Sequence, residues 1–196
     1  MEKSLQGYEI LLCVSGGIAC YKAADLASRL VQSGAGVTVA MTPAATEFVA
    51  PLTFGSLTRR PVFTSMWSSA STDSHDIEHV SLTEKADLTI LAPATANTIA
   101  KLAQGLADNL VSTMLLATAG SCDVLIAPAM NTRMYAHPAV QTNMERLRTM
   151  ASVHVIGPAE GRLACGTTGP GRMSEPAEIL TRATELLLRK PPKRLG

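Results

Sequence analysis

Three residues of this chain combine a reactive side chain with an uncommitted setting: His79, Asn131 and Cys165. His79 stands ahead of the apolar run that starts at Leu88, outside any apolar stretch. A lone imidazole there is more often a structural or solvated ring than a functional one. Asn131 follows Pro128-Ala129-Met130, and its amide either caps a helix or holds a carboxylate. Cys165 lies in residues 163–173, LACGTTGPGRM, too polar and glycine-rich for a core position, so its thiol reads as exposed and usable. Cys13, Cys20 and Cys122 fall within or beside regular elements and read as packing residues. No cluster has zinc-ligand spacing, and no GxSxG elbow supports a serine hydrolase.

A scaffold for these residues is visible around residues 86–98, ADLTILAPATANT. Leu88, Ile90 and Leu91 predict a buried strand, Pro93 its stop, and Asn97 the cap of a helix over 98–105. Upstream, residues 8–14 predict a strand, Ser15-Gly16-Gly17 a tight turn, and 18–33 a helix closed by Gly34. A second strand follows over Gly36–Met41, then Thr42 as N-cap and Pro43 as first residue of a short helix ending near Val49. A short sixth strand is expected near 60–64 and a surface loop over 65–75. Downstream come a helix over 106–117 with a capped start at 107–110, a strand over 122–127 ended by Pro128, a loop over 129–135 and a helix over 138–150. A strand over 152–156, a glycine-rich segment over 157–173, an amphipathic helix over 175–190 and a disordered tail over 191–196 complete the chain.

This alternation predicts one α/β domain over 1–190, with a doubly wound, mostly parallel sheet in a Rossmann or flavodoxin-like three-layer sandwich. The unusual loops at 15–18, 42, 93–98, 128–134 and 157–173 all follow strands, so one sheet edge collects them. Gly16, Gly17 and Ile18, with Thr42 nearby, and Thr95, Ala96, Asn97 and Thr98 are then candidates to hold a phosphate or a carbonyl-rich ring through backbone N–H groups. The alternative is a set of plain βα turns. The dinucleotide fingerprint GxGxxG is absent, as is an acid at the end of the second strand.

Composition fits a cytoplasmic domain with a sizeable core. Of 196 residues, 46% are hydrophobic and 17% charged, and the aromatic share of only 4% favours close helix-on-sheet packing. A net charge of +1 argues against a nucleic-acid or membrane partner, and no apolar run reaches membrane-spanning length. No signal peptide precedes the first strand, and the four cysteines form no CxxC, as expected of reduced thiols.

Five motifs, in order and spacing, resemble the flavin-containing cysteine decarboxylases over roughly residues 8–188. They are Ser15-Gly16-Gly17-Ile18; His79 ahead of Ala86-Asp87; Ala92-Pro93-Ala94-Thr95-Ala96-Asn97-Thr98; Pro128-Ala129-Met130-Asn131 through Met134; and Ala164-Cys165-Gly166 through Gly171-Arg172-Met173. Two positions depart from the family pattern, Lys85 for an aromatic and Tyr135 for a common Trp, and neither is a catalytic group. The resemblance implies FMN as cofactor and 4′-phosphopantothenoylcysteine (4′-phospho-N-pantothenoyl-cysteine) as substrate. Oxidation of its CH2–SH end to a thioaldehyde lets CO2 leave, and re-reduction gives 4′-phosphopantetheine, a step of coenzyme A biosynthesis. His79 would serve the oxidation half as base or orienting group, Asn131 would hold the carboxylate and Cys165 would supply the final proton. Met134, Ala164, Gly166 and Arg172 would contact substrate under a glycine-hinged lid. The family also implies a homo-oligomer, a trimer or dodecamer, with FMN at subunit contacts. Peptidyl-cysteine decarboxylases lack the cysteine motif, flavin prenyltransferases lack the His79 and Asn131 motifs, and regulatory flavoproteins lose catalytic residues that this chain keeps. A nicotinamide dehydrogenase is unsupported without its fingerprint.

Overall fold

A computed structural model describes residues 4–67, 78–118, 120–164, 166 and 168–193, with the backbone alone for 78–80. The first strand, β1 (Glu9–Val14), leads to α1 (Cys20–Gln32), β2 (Gly36–Met41), the short α2 (Pro43–Thr46), α3 (Pro51–Thr58) and β3 (Val62–Phe63). Helix α4 (Glu78–Lys85) feeds β4 (Leu88–Ala94), followed by α5 (Ala96–Gln104), α6 (Leu110–Ala117), β5 (Asp123–Pro128) and α7 (Thr132–Tyr135). After α8 (Pro138–Arg148) and β6 (Val153–Val155) comes a hairpin of β7 (Ala159–Arg162) and β8 (Thr168–Arg172), then α9 (Pro176–Leu187). Among the described residues no helix is long and apolar enough to cross a membrane.

Six strands form one parallel sheet in the order β3-β2-β1-β4-β5-β6. The strand order reverses between β1 and β4, and a doubly wound sheet opens its ligand crevice at that switch point. Period-2 alternation along the strands divides the core into two layers. Ile10, Leu12 and Val14 face α1 and α9 with Leu26, Leu30 and Ile179. Leu11 and Cys13 face the other way, onto α5, α6 and α8 with Ile99, Met114 and Leu147. Every residue of β4 is buried, as a strand covered on both faces requires.

The structure corrects several expectations. Pro93 does not stop β4: the strand continues to Ala94, and its register against β5 shifts between Leu91 and Ala94, where a residue without an N–H disrupts no regular ladder. Asn97 is not the cap of α5, because Thr95 takes the extended N-cap conformation and the helix begins at Ala96. Helices α3, α4 and α7 were not foreseen, being short and lacking a long apolar stripe. The glycine-rich 157–173 segment folds in large part as an antiparallel hairpin, pairing Ala159↔Arg172 and, after a register shift, Glu160↔Pro170 through Arg162↔Thr168. The tail is placed as far as Lys193, whose N–H donates to Asp87 Oδ1 at 2.7 Å and whose ammonium donates to the Glu84 and Ala86 carbonyls. Of the expected surface loop, residues 68–75 lie outside the described residues.

Other expectations hold. Thr42 accepts the Ala45 N–H at 3.2 Å ahead of Pro43. Asn109 and Ser112 form a reciprocal capping box at the start of α6. Gly34, at φ +97°, closes α1 with bonds from the Gly34 N–H to the Val31 carbonyl and from the Ala35 N–H to the Leu30 carbonyl.

Candidate active site

One cavity of about 890 Å3 opens at the carboxyl edge of the sheet, beside the β1/β4 switch point. Its floor is made by two strand-to-helix turns. After β1, Gly16, Gly17 and Ile18 lead into α1; after β4, Thr95 and Ala96 open α5. Neither helix has a side chain hydrogen-bonded to its first turn or an acid within it. The Cys20 and Lys22 N–H groups of α1 go to the Gly17 and Ala19 carbonyls; the other first-turn N–H groups and the positive dipole ends of both helices remain for a ligand. A hydroxyl cluster locks the turns together. Ser15 Oγ donates to the Pro93 carbonyl at 2.6 Å and accepts the Thr95 N–H at 3.0 Å. Thr95 Oγ1 lies 3.2 Å from both Ser15 Oγ and Thr98 Oγ1. Gly16 lets this floor pack closely, since a Cβ there would lie 2.6 Å from the Ala44 carbonyl carbon.

The opposite wall comes from the end of β5 and from the hairpin. Asn131 is the N-cap of α7, and its Oδ1 accepts the Arg133 N–H at 2.8 Å. With the carbonyl oxygen committed to the cap, the NH2 is the donor end of the amide, the end a carboxylate accepts from. Strand β8 lies flush on this loop: the Met130 N–H donates to the Gly171 carbonyl at 2.9 Å.

The cavity is electropositive. Among the described residues, Lys22, Lys101, Arg162 and Arg172 line it against a single acid, Asp108. Lys22 is only 6% exposed, and its ammonium donates to Glu175 Oε1 at 2.9 Å and to the Met173 carbonyl at 3.2 Å. Arg172 shares the same Glu175 oxygen at 2.7 Å. The Lys22 hydrogen bond, with help from Arg172, holds the Glu175 carboxyl below the usual carboxylate range. Lys101 does the same for Asp108 across 2.8 Å. Burial pushes the Cys13 thiol up to about 12 and also raises Cys20 and Cys122, so these three are packing thiols. Among the described residues no cluster of His, Cys, Asp or Glu could hold a metal.

The structure gathers most of the residues singled out from sequence. Gly16, Gly17, Ile18, Thr42, Thr95, Ala96, Asn97 and Thr98 all line the cavity, with Asn131, Met134, Ala164 and Arg172. Gly166 is exposed and does not line it. His79 belongs to the first turn of α4, the helix that leads into β4. Cys165 lies outside the described residues, between Ala164, which lines the cavity, and Gly166. Sequence reading missed Lys22, Lys101, Asp108 and Arg162. The available signal for Lys22 was its place in the buried stripe Lys22, Leu26, Leu30 of α1, where a lone charge needs a partner.

An α/β fold with an anion-ready crevice at its switch point defines a nucleotide-type cofactor binder. Comparison with known proteins narrows this class: residues 1–188 match the Flavoprotein family, and the chain belongs to it. It is 49% identical over 176 residues to the coenzyme A biosynthesis bifunctional protein CoaBC of Bacillus subtilis (strain 168), covering 90% of this chain but 42% of that protein. The chain thus spans less than half the length of such bifunctional relatives. It is 42% identical to a probable phosphopantothenoylcysteine decarboxylase of Streptococcus mutans, covering 91% of this chain and 98% of the relative. Among solved structures it superposes with a TM-score of 0.83, at 29% identity, on a PPC decarboxylase mutant complexed with pantothenoylaminoethenethiol, covering 94% of this chain and all of that one. The FMN-binding protein AtHal3 gives a TM-score of 0.80, also at 29% identity, over 95% of this chain and all of that one.

Proposed function

We propose that this chain binds FMN and decarboxylates 4′-phospho-N-pantothenoyl-cysteine to 4′-phosphopantetheine, a step of coenzyme A biosynthesis. One observation carries the reading: two helix N-termini without side-chain caps meet on the cavity that also holds Asn131. The first supplies a phosphate site; the second, a carboxylate-binding amide. The Streptococcus relative and the PPC decarboxylase neighbour support it, and the compound held by that neighbour is by its name an ene-thiol, the species expected after CO2 loss and before reduction.

The donor set suits the cofactor. Backbone N–H groups at residues 16–18 and 96–98, with the Thr95 and Thr98 hydroxyls, would take its phosphate and ribityl oxygens. FMN when bound supplies a two-electron acceptor and donor. The chain's own residues do the rest. His79 serves as base or orienting group at the CH2–SH end of the substrate. The NH2 of Asn131 holds the carboxylate, so the C–CO2 bond is oriented before it breaks. Cys165 then gives its thiol proton to the substrate carbon. Lys22 and Arg172 keep that wall of the cavity positive for anionic species.

The assembly we infer is a homo-oligomer, a trimer or a dodecamer of trimers, with FMN at subunit contacts. Ile18 and Tyr21 support it, being 62% and 61% exposed at the cavity rim, where a second copy would cover them. Free Cys13, Cys20 and Cys122 fit a cytoplasmic setting.

The test is direct. The purified protein should be yellow, release FMN and not FAD on denaturation, and form CO2 and 4′-phosphopantetheine from the substrate. A colourless protein that FMN cannot reconstitute would overturn the reading. His79→Asn should keep FMN and lose decarboxylation. Cys165→Ser should stop at the ene-thiol, because a hydroxyl is a far weaker acid than a thiol of pKa about 8.5.

A further inference from the structure

The proposed reaction brings two phosphomonoesters into one cavity at once, one on FMN and one on the substrate. The helix N-termini of α1 and α5 can serve only the first. A second anion-recognising group is therefore needed elsewhere on the lining.

Three of the four basic side chains there already have a carboxylate partner. Lys22 and Arg172 share Glu175. Lys101 is paired with Asp108 at 2.8 Å. Arg162, at the end of β7, lines the cavity and has no hydrogen-bonding or ion-pair partner among the described residues. It is exposed, so its guanidinium remains hydrated and available. Its register partner across the hairpin is Thr168, which brings no counter-charge.

We infer that Arg162 is the specificity-determining residue that reads the phosphate of the substrate. The inference rests on the functional reading above and adds to it the group that separates a phosphorylated substrate from its unphosphorylated counterpart. A guanidinium suits a phosphomonoester dianion because its planar fork gives two parallel charge-assisted hydrogen bonds. Its place on the hairpin puts it on a different element from the α1 and α5 turns assigned to the cofactor's phosphate. Leu163 and Ala164, next in the chain, leave an apolar lining between Arg162 and the reacting end.

The experiment compares 4′-phospho-N-pantothenoyl-cysteine with N-pantothenoyl-cysteine on the FMN-loaded protein, for the unaltered chain, Arg162→Gln and Arg162→Lys. The unaltered chain should prefer the phosphorylated compound in kcat/KM. In Arg162→Gln that preference should fall by about tenfold, the size expected for losing one charge-assisted hydrogen bond at an exposed site. The loss should fall on KM and shrink with added salt. Arg162→Lys, which keeps the charge but not the fork, should recover part of it. A preference unchanged in Arg162→Gln overturns the inference. So does loss of flavin from that variant, which would put the guanidinium on the cofactor's phosphate. If the unaltered, flavin-loaded protein decarboxylates neither compound, the functional reading itself fails, and the inference with it.

Discussion

The Gly171 carbonyl accepts the Met130 N–H at 2.9 Å, and a Cβ on Gly171 would overlap the Met130 carbonyl oxygen. Residue 171 also has φ +138°, a conformation that L side chains rarely adopt. This contact makes the β7–β8 hairpin and the Asn131 loop one unit. Gly169 repeats the arrangement one pleat earlier, where a Cβ would come within 2.9 Å of Thr132 Cγ2.

Gly171→Ala must therefore lift the hairpin from the loop. Displacing a substrate-positioning group by about 1 Å can cost on the order of 100-fold in rate. We expect kcat/KM to fall by at least that order while the α1 and α5 turns, which do not touch residue 171, still hold flavin. Steady-state kinetics beside the flavin absorbance of the purified variant checks this. Near-normal turnover would show that the hairpin does not need its seat on Met130.

The described thiols give a second expectation. Cys13 is fully buried with its thiol pushed up to about 12, and burial raises Cys20 and Cys122 as well. Alkylation needs the thiolate. Brief treatment of the native protein with iodoacetamide near pH 8 should leave all three unmodified, whereas Cys165 reacts if its proposed role as an accessible acid is right. Peptide mass mapping before and after denaturation distinguishes the sites.

Glu175 gives a third, with a definite sign. Its ordinary value is 4.5, and in the folded chain it is lowered, first by Lys22 and then by Arg172. A carboxyl depressed on folding contributes stability above its unfolded value and loses it as pH falls through the folded one. Glu175→Gln should destabilise the protein at pH 7, and the gap to the unaltered chain should narrow below about pH 4.5. Because the Glu175 side chain is 47% exposed, solvent screening limits the pair itself to about 1 kcal/mol or less. Leaving the buried Lys22 ammonium without its carboxylate adds to that. Urea melts at a series of pH values would reveal a gap that stays flat or widens on acidification, and either result refutes the linkage.

The fold was largely legible because its strands are short apolar runs between turn residues, and the β4 run is buried on both faces. Gly34 and Thr42 marked helix ends through their own conformational chemistry. The residues that gather on the cavity were legible for a topological reason: loops that follow parallel strands share an edge. What escaped was set by tertiary packing. Pro93 reads as a terminator until the shifted register at the end of β4 accommodates it. The hairpin at 159–172 resembles a loose glycine-rich loop, because its glycines serve contacts with Met130 and Thr132 that are remote in sequence. Lys22 resembles a solvated helix residue until Glu175, 153 positions away, covers it.

Asn131 carries two duties that one substitution can separate. Its Oδ1 caps α7 through the Arg133 N–H, and its NH2 is assigned to the substrate carboxylate. Asparagine and aspartate cap helices about equally well, because both offer a side-chain oxygen at the same position. Asn131→Asp should therefore leave α7 and the melting temperature nearly unchanged. The second oxygen, however, replaces a donor with a negative charge facing a carboxylate. Like charges at that distance repel, and the lost hydrogen bond adds to the penalty. We expect decarboxylation to fall by more than 100-fold with FMN still bound. Asn131→Ala should show the opposite balance: the cap is lost, costing about 1 kcal/mol of stability, while no repulsion is introduced, so it should keep more activity than the aspartate variant. Thermal melts and single-turnover assays on the two variants order them. If Asn131→Asp turns over as fast as Asn131→Ala, no substrate carboxylate lies against this amide, and Asn131 is only a cap.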